Sequence, residues 1–147
     1  MSGCIDSEVT QECTVLVVED EDPLREPVVK MLRMAGFIVL EASNGTAAIN
    51  LLRANEGTID VILLDVTIPG ASSHQVLAEA AAQDRKNIKV ILTSAYSQEM
   101  VTPSFSAPQI CGFIRKPFRL QDLVKTLRSA LPATSEKAPS SCTTEAL

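Results

Sequence analysis

Five short apolar runs alternate along the chain with longer segments whose apolar residues recur at helical spacing. The runs are Thr14–Val18, Phe37–Leu40, Asp60–Leu64, Ile88–Leu92 and Cys111–Ile114. Within them, Val15-Leu16-Val17-Val18, Val61-Ile62-Leu63-Leu64 and Val90-Ile91-Leu92 are apolar at every position. A strand with one wet face alternates apolar and polar residues, so uninterrupted runs predict strands covered on both faces, as in a parallel sheet. The first intervening segment opens at Asp22-Pro23, a capping residue followed by the residue best suited to the first helical position. Leu24, Val28, Met31, Leu32 and Ala35 then share a helical stripe that Gly36 is placed to end, with Pro27 awkward because it removes an amide near the start. Further helices are predicted over Gly45–Ala54 (Ala48, Ile49 and Leu52 inward), Ser73–Gln83 (Val76, Leu77 and Ala80 inward) and Leu120–Leu131 (Leu123, Val124 and Leu127 inward). Between Ser97 and Gln109, Pro103 and Pro108 leave room for a turn or two. Strand–helix alternation throughout predicts a three-layer α/β domain with right-handed crossovers. Residues 1–12 and 132–147 lack any periodicity and are expected to be a flexible N-terminal segment and a flexible tail or linker around a domain at 13–131.

Composition narrows the function classes. A chain of 147 residues fits one domain, and 46% hydrophobic residues suffice for a core. Net charge is −5, with no Trp and five other aromatics, which disfavours a nucleic-acid surface built on cationic stripes and stacking rings. No apolar run approaches the roughly 20 residues of a membrane helix. Asp6, Glu8 and Glu12 stand where a signal peptide needs a basic start and an apolar stretch, so a cytoplasmic location without membrane partner is expected. The four cysteines form no Cys-x-x-Cys and the single histidine is His74, which argues against a thiolate–imidazole zinc site. Cys13 and Cys111 are expected as small apolar residues entering strands.

In an open parallel sheet, chemistry gathers beyond the carboxyl ends of the strands. Glu19, Asp20, Glu21 and Asp22 follow the first run, Glu41 the second, Asp65 the third, Thr93 and Ser94 the fourth, and Arg115 and Lys116 the fifth. Two carboxylates 4 Å apart repel by about 4 kcal/mol at an effective dielectric near 20, so such a rim requires protonation or a cation. Hard oxygen ligands with room for water suit Mg²⁺. A metal, a lysine, a hydroxyl and a free carboxylate together can bind a phosphoryl group, and the carboxylate can accept it covalently. Glu21 and Asp22 read better as helix-start acids favoured by the dipole, since Asp22 directly precedes Pro23. Asp65, between Leu64 and Val66, is costly unless it has partners.

Four stretches carry a resemblance. Val-Leu-Val-Val-Glu-Asp-Glu (15–21), Val-Ile-Leu-Leu-Asp-Val-Thr-Ile-Pro-Gly (61–70), Ile-Leu-Thr-Ser-Ala-Tyr (91–96) and Phe-Ile-Arg-Lys-Pro-Phe (113–118) resemble the receiver domains of two-component response regulators, in order and spacing over about residues 13–131. The last two look most like receivers appended to hybrid histidine kinases. The resemblance implies a flavodoxin-like (βα)5 fold with a five-stranded parallel sheet in the order 2-1-3-4-5. It makes Asp65 the phosphoacceptor, taking its phosphoryl group from a histidine kinase or histidine phosphotransfer protein. Glu19, Asp20, Asp65 and the backbone carbonyl of Thr67 would hold Mg²⁺ (or Mn²⁺), Ser94 and Lys116 would bind the phosphoryl group, and Ser94 with Phe113 would form the switch. Such a module is no metabolic enzyme; self-dephosphorylation is a by-product. The downstream partner is left open. The chain departs from the family in using Glu19 where Asp is more usual, in Ala71-Ser72-Ser73, and in Pro103 and Pro108, so the dimer mode of the fourth helix is not carried over.

Two other classes compete. A Mg²⁺-dependent phosphohydrolase with an aspartyl-phosphate intermediate would resemble haloacid-dehalogenase-like enzymes, which place a second acid two residues after the nucleophile, where this chain has Thr67. A receiver-like binding scaffold that never accepts phosphate is the third reading. No Gly-x-Gly-x-x-Gly or Walker loop supports nucleotide binding, and the chain is too short for a histidine kinase's ATP domain.

Overall fold

The computed structural model describes residues 13–83, 88–105 and 107–131; the segments at 1–12 and 132–147 lie outside them. Strands β1 (Thr14–Val18), β2 (Ile38–Ala42), β3 (Val61–Asp65), β4 (Lys89–Ser94) and β5 (Ile110–Arg115) alternate with helices α1 (Asp22–Met34), α2 (Gly45–Ala54), α3 (Ser73–Ala81), α4 (Gln98–Val101) and α5 (Leu120–Ala130). All strand pairs are parallel, in the order β2-β1-β3-β4-β5. The layering is the one the strand–helix alternation predicts, and the strand order is the one the family resemblance implies.

The period-2 alternation of the strands splits the core in two. Leu16, Val18, Ile62, Leu64, Val90 and Leu92 face one layer with Ala48 and Leu52 of α2 and Val76 and Leu77 of α3. Val15, Val17, Val61, Leu63 and Ile91 face the other, with Val28, Val29 and Leu32 of α1 and Leu123 and Leu127 of α5. Every residue of β1 and β3 is buried, as uninterrupted apolar runs require.

The differences from the sequence reading sit at edges and ends. β2 runs to Ala42 rather than ending at Leu40, and it is wet along one side, with Ile38 and Glu41 exposed. It is an edge strand, so its pattern is the weakest of the five. β3 and β4 each extend to include the polar residue expected just beyond them, Asp65 and Ser94. Cys111 is exposed on the other edge strand and Cys13 is half-buried, correcting the expectation of two buried thiols. Glu21, not Asp22, holds the N-cap position of α1, without a side-chain bond; Asp22 is already helical and pairs with Arg25 at 2.6 Å. Gly36 ends α1 as expected, with a φ of 102° that L side chains rarely adopt. α3 begins with a reciprocal cap between Ser72 and Gln75, which shows how the unusual Ala71-Ser72-Ser73 segment starts a helix. α4 is a single turn.

α1 continues through Pro27 because the apolar stripe behind it is buried. Pro27 cannot donate to the carbonyl of Pro23, one turn back. Pro27→Ala restores that donor and is expected to raise stability by about 1–3 kcal/mol in urea unfolding. Unchanged or lower stability would show that the proline ring's own packing outweighs the missing bond.

Candidate functional site

Backbone pairing delivers three charged side chains to one place. Glu19 continues the ladder of β1, its amide donating to Ala42 at 3.0 Å, and Lys116 continues that of β5, its amide donating to Ser94 at 2.7 Å. Asp65 ends β3 in register with Thr93. At this rim the Lys116 ammonium lies 2.6 Å from Glu19 Oε1 and 2.8 Å from Asp65 Oδ2. The Lys116, Glu19 and Asp65 side chains are only 16%, 9% and 4% exposed, so the bonds form in a poorly solvated pocket of charge. Asp65 Oδ1 accepts from the Thr67 amide at 3.0 Å and its hydroxyl at 3.2 Å, while Glu19 Oε2 accepts from the Glu21 amide at 3.2 Å.

The electrostatics are coupled. Burial pushes the Glu19 carboxyl above its ordinary pKa; the Lys116 bond pulls it back and the charge of Asp65 pushes it up again. Burial alone would lower the Lys116 pKa, but the bonds to Asp65 and Glu19 outweigh it and the ammonium is held above its ordinary value. Two carboxylates against one ammonium leave a net negative charge, to which Asp20 and Glu21 add at the exposed rim. Carboxylate oxygens of Glu19, Asp20 and Glu21 lie within 4.8 Å of one another.

Other expected residues take definite places. Ser94 is buried and its hydroxyl oxygen accepts from the Tyr96 amide at 2.9 Å. Phe113 is half-buried and packs against the core layer of α2 and α3, on the sheet face opposite Ile114. Glu41 does not join the site: it is bound by Arg25 at 3.2 Å and lies 3.8 Å from Arg33.

Two participants escaped the sequence reading. Arg25 donates to the Glu19 carbonyl at 2.8 Å while also holding Asp22 and Glu41, so it clamps the acidic turn from α1. A lone cation one helical turn after an acidic run was the available signal. Ser73, buried at the start of α3, donates to the carbonyls of Asp65 and Val66 at 3.1 and 2.7 Å. Nothing in the sequence distinguishes it from its neighbour Ser72.

Comparison with known proteins identifies the family. Residues 15–128 match the family described as the response regulator receiver domain. The chain is 31% identical over 125 residues to the sensor kinase CckA of Brucella abortus, a match covering 85% of this chain and 13% of the kinase. It is 29% identical over 119 residues to the response regulator receiver protein CpdR of the same organism, covering 81% of this chain and 97% of that protein. The phosphate regulon transcriptional regulatory protein PhoB of Escherichia coli is 33% identical over 125 residues, 84% of this chain and 54% of PhoB. The chain thus spans a small part of the kinase and about half of PhoB. Among solved structures, the receiver domain of the hybrid histidine kinase CckA superposes with a TM-score of 0.66 at 29% identity, covering 80% of this chain and 97% of that one. The response regulator TrrA of Thermotoga maritima, in complex with Mg²⁺-BeF, superposes with a TM-score of 0.69 at 28% identity, covering 81% of this chain and 99% of that one. With its strand order and these matches in agreement, the chain belongs to the response regulator receiver family, the phosphoaccepting modules of two-component signalling.

Proposed function

We propose that Asp65 accepts a phosphoryl group from the phosphohistidine of a histidine kinase or histidine phosphotransfer protein. The observation that carries this reading is the fixed carboxylate of Asp65, held through one oxygen by Lys116 and through the other by Thr67. A carboxylate oxygen of Asp65 forms the new bond to phosphorus and the phosphorus–nitrogen bond to the donor imidazole breaks; the ring, whose other nitrogen carries a proton taken from solvent, leaves as neutral imidazole. The product is an acyl phosphate, and the histidine is regenerated.

Phosphoryl transfer depends mainly on positioning and on neutralising charge that spreads over the phosphoryl oxygens. Lys116 supplies the fixed cation: two of its three N–H groups bind Glu19 and Asp65, and the third has no partner among the described residues. Ser94, adjoining Lys116 through the backbone, supplies a hydroxyl whose proton has no acceptor among the described residues. With Phe113 on the same side of the sheet as the short α4, it forms the route by which loading is read. The clustered carboxylates of Glu19, Asp20 and Glu21 are the hard, anionic oxygen donors that suit Mg²⁺ (or Mn²⁺). Glu19 and Asp20 would hold such an ion together with Asp65, which shares the Lys116 ammonium with Glu19, and the carbonyl of Thr67. When bound there, such an ion supplies further neutralisation of the phosphoryl charge. The position two residues after Asp65 carries Thr67, whose hydroxyl is engaged with Asp65 itself, so the general acid of a phosphohydrolase is missing. Self-dephosphorylation, the hydrolysis of that acyl phosphate, is a by-product and not a metabolic activity. The similarity to the CckA receiver favours a hybrid-kinase context. No helix among the described residues is long and apolar enough to cross a membrane.

Incubated with Mg²⁺ and acetyl phosphate, the protein is expected to gain one acid-stable, base-labile phosphoryl mass, absent from Asp65→Asn and abolished by chelator. An equal adduct on Asp65→Asn would refute the assignment, and no adduct on the wild type would favour the binding scaffold. Lys116→Met leaves two buried carboxylates without their cation and is expected to cost about 3–5 kcal/mol of stability in chelator-containing buffer at neutral pH. Urea unfolding measures it, and a loss within experimental error would show that the ion pair is dispensable to the fold.

A further inference from the structure

The segment between β3 and α3 follows Asp65 directly and carries Thr67, whose amide and hydroxyl hold the Asp65 carboxylate. Its near end is tied down by the Ser73 hydroxyl. Its far end rests on a different element, the first turn of α2. The Gly45 amide donates to the Pro69 carbonyl at 3.0 Å, and the Thr46 hydroxyl oxygen accepts from the Ala71 amide at 3.2 Å. Gly45 is buried, and a Cβ there would overlap the carbonyl oxygen of Ala71, so only glycine admits this approach without displacing the segment. The fit is reciprocal: Gly70 sits at a φ of 79°, and a Cβ on it would come within 3.0 Å of the Thr46 hydroxyl oxygen.

The first turn of α2 is itself fixed. Asn44 caps it through the Ala47 amide at 2.7 Å. At the other end of the helix pair, the buried Gln83 amide donates to the Leu52 carbonyl at 2.8 Å, and Arg53 pairs with Glu79 at 3.1 Å. α2 is thus tied at its start to the segment between Asp65 and Ser72, and at its end to Glu79 of α3 and to Gln83 just beyond it.

We propose that Gly45 and Thr46 are positioning residues for phosphoryl loading: α2, which contributes no side chain to the charged cluster, sets the placement of the Thr67 segment against Asp65. This rests on the reading of Asp65 as acceptor. Thr46→Val keeps the shape and removes the hydrogen-bond acceptor, Thr46→Ser restores it, and Gly45→Ala forces the segment away. Two readouts decide the matter at a temperature well below unfolding: Mg²⁺ affinity by calorimetry with no phosphodonor present, and the initial rate of adduct formation with acetyl phosphate. Thr46→Val is expected to weaken Mg²⁺ binding and slow loading, each by about three- to tenfold, the scale of one ordinary hydrogen bond. Thr46→Ser is expected to return both to near wild-type values, and Gly45→Ala to lose more than Thr46→Val. If Thr46→Val merely lowers stability while its Mg²⁺ affinity and loading rate match the wild type, the proposal is overturned, whether or not Gly45→Ala folds. A wild type that binds Mg²⁺ but takes no phosphoryl group instead refutes Asp65 as acceptor, and the Mg²⁺ comparison alone then decides whether α2 positions the segment.

Discussion

One ammonium, shared between two buried carboxylates that arrive from distant parts of the chain, is the constraint around which the carboxyl edge of this sheet is organised. Glu19 and Asp65 lie on neighbouring strands and would repel each other in a poorly solvated site; Lys116, on the far edge of the sheet, reaches both. The bonds are formed only when β1, β3, β4 and β5 are paired in their observed register, since a slip of one residue turns each side chain to the opposite face. Folding and site assembly are therefore the same event. The extra methylene of Glu19 relative to the more usual Asp is consistent with its direct contact to Lys116, a use for the longer side chain that the sequence alone does not suggest.

Much of this architecture is legible in the sequence because burial leaves a strong pattern. Runs without a polar residue identify β1, β3 and β4 as covered on both faces, and Asp65 at the end of the most apolar run advertises that it needs partners. The residues that hold the partners in place leave no such mark. Arg25 acts through a backbone carbonyl, Ser73 through two, and Gly45 through the space it leaves vacant. Each depends on which element lies alongside, a tertiary fact that periodicity does not encode. Edge strands are the other blind spot: Ile38 and Cys111 are exposed because one side of β2 and of β5 has no neighbour.

The region after β4 shows how a fold is maintained when a helix is curtailed. α4 is one turn, and the chain beyond it instead lies against α3, where Phe105 stacks on His74 with ring centroids 4.1 Å apart and the Ser104 carbonyl lies 2.7 Å from the His74 ring nitrogen. The lone histidine, at the start of α3, thus serves as a strut between α3 and the segment after α4.

The central claim is that the Lys116 ammonium is a held cation awaiting a phosphoryl group, and the most direct test is a structure of the protein with Mg²⁺ and fluoroberyllate. The account requires the beryllium fluoride on Asp65 and Lys116 bonded to it, with the Glu19–Lys116 contact loosened. Fluoroberyllate bound elsewhere, or a Lys116 that makes no contact with it and keeps both carboxylates as they are, would contradict the account.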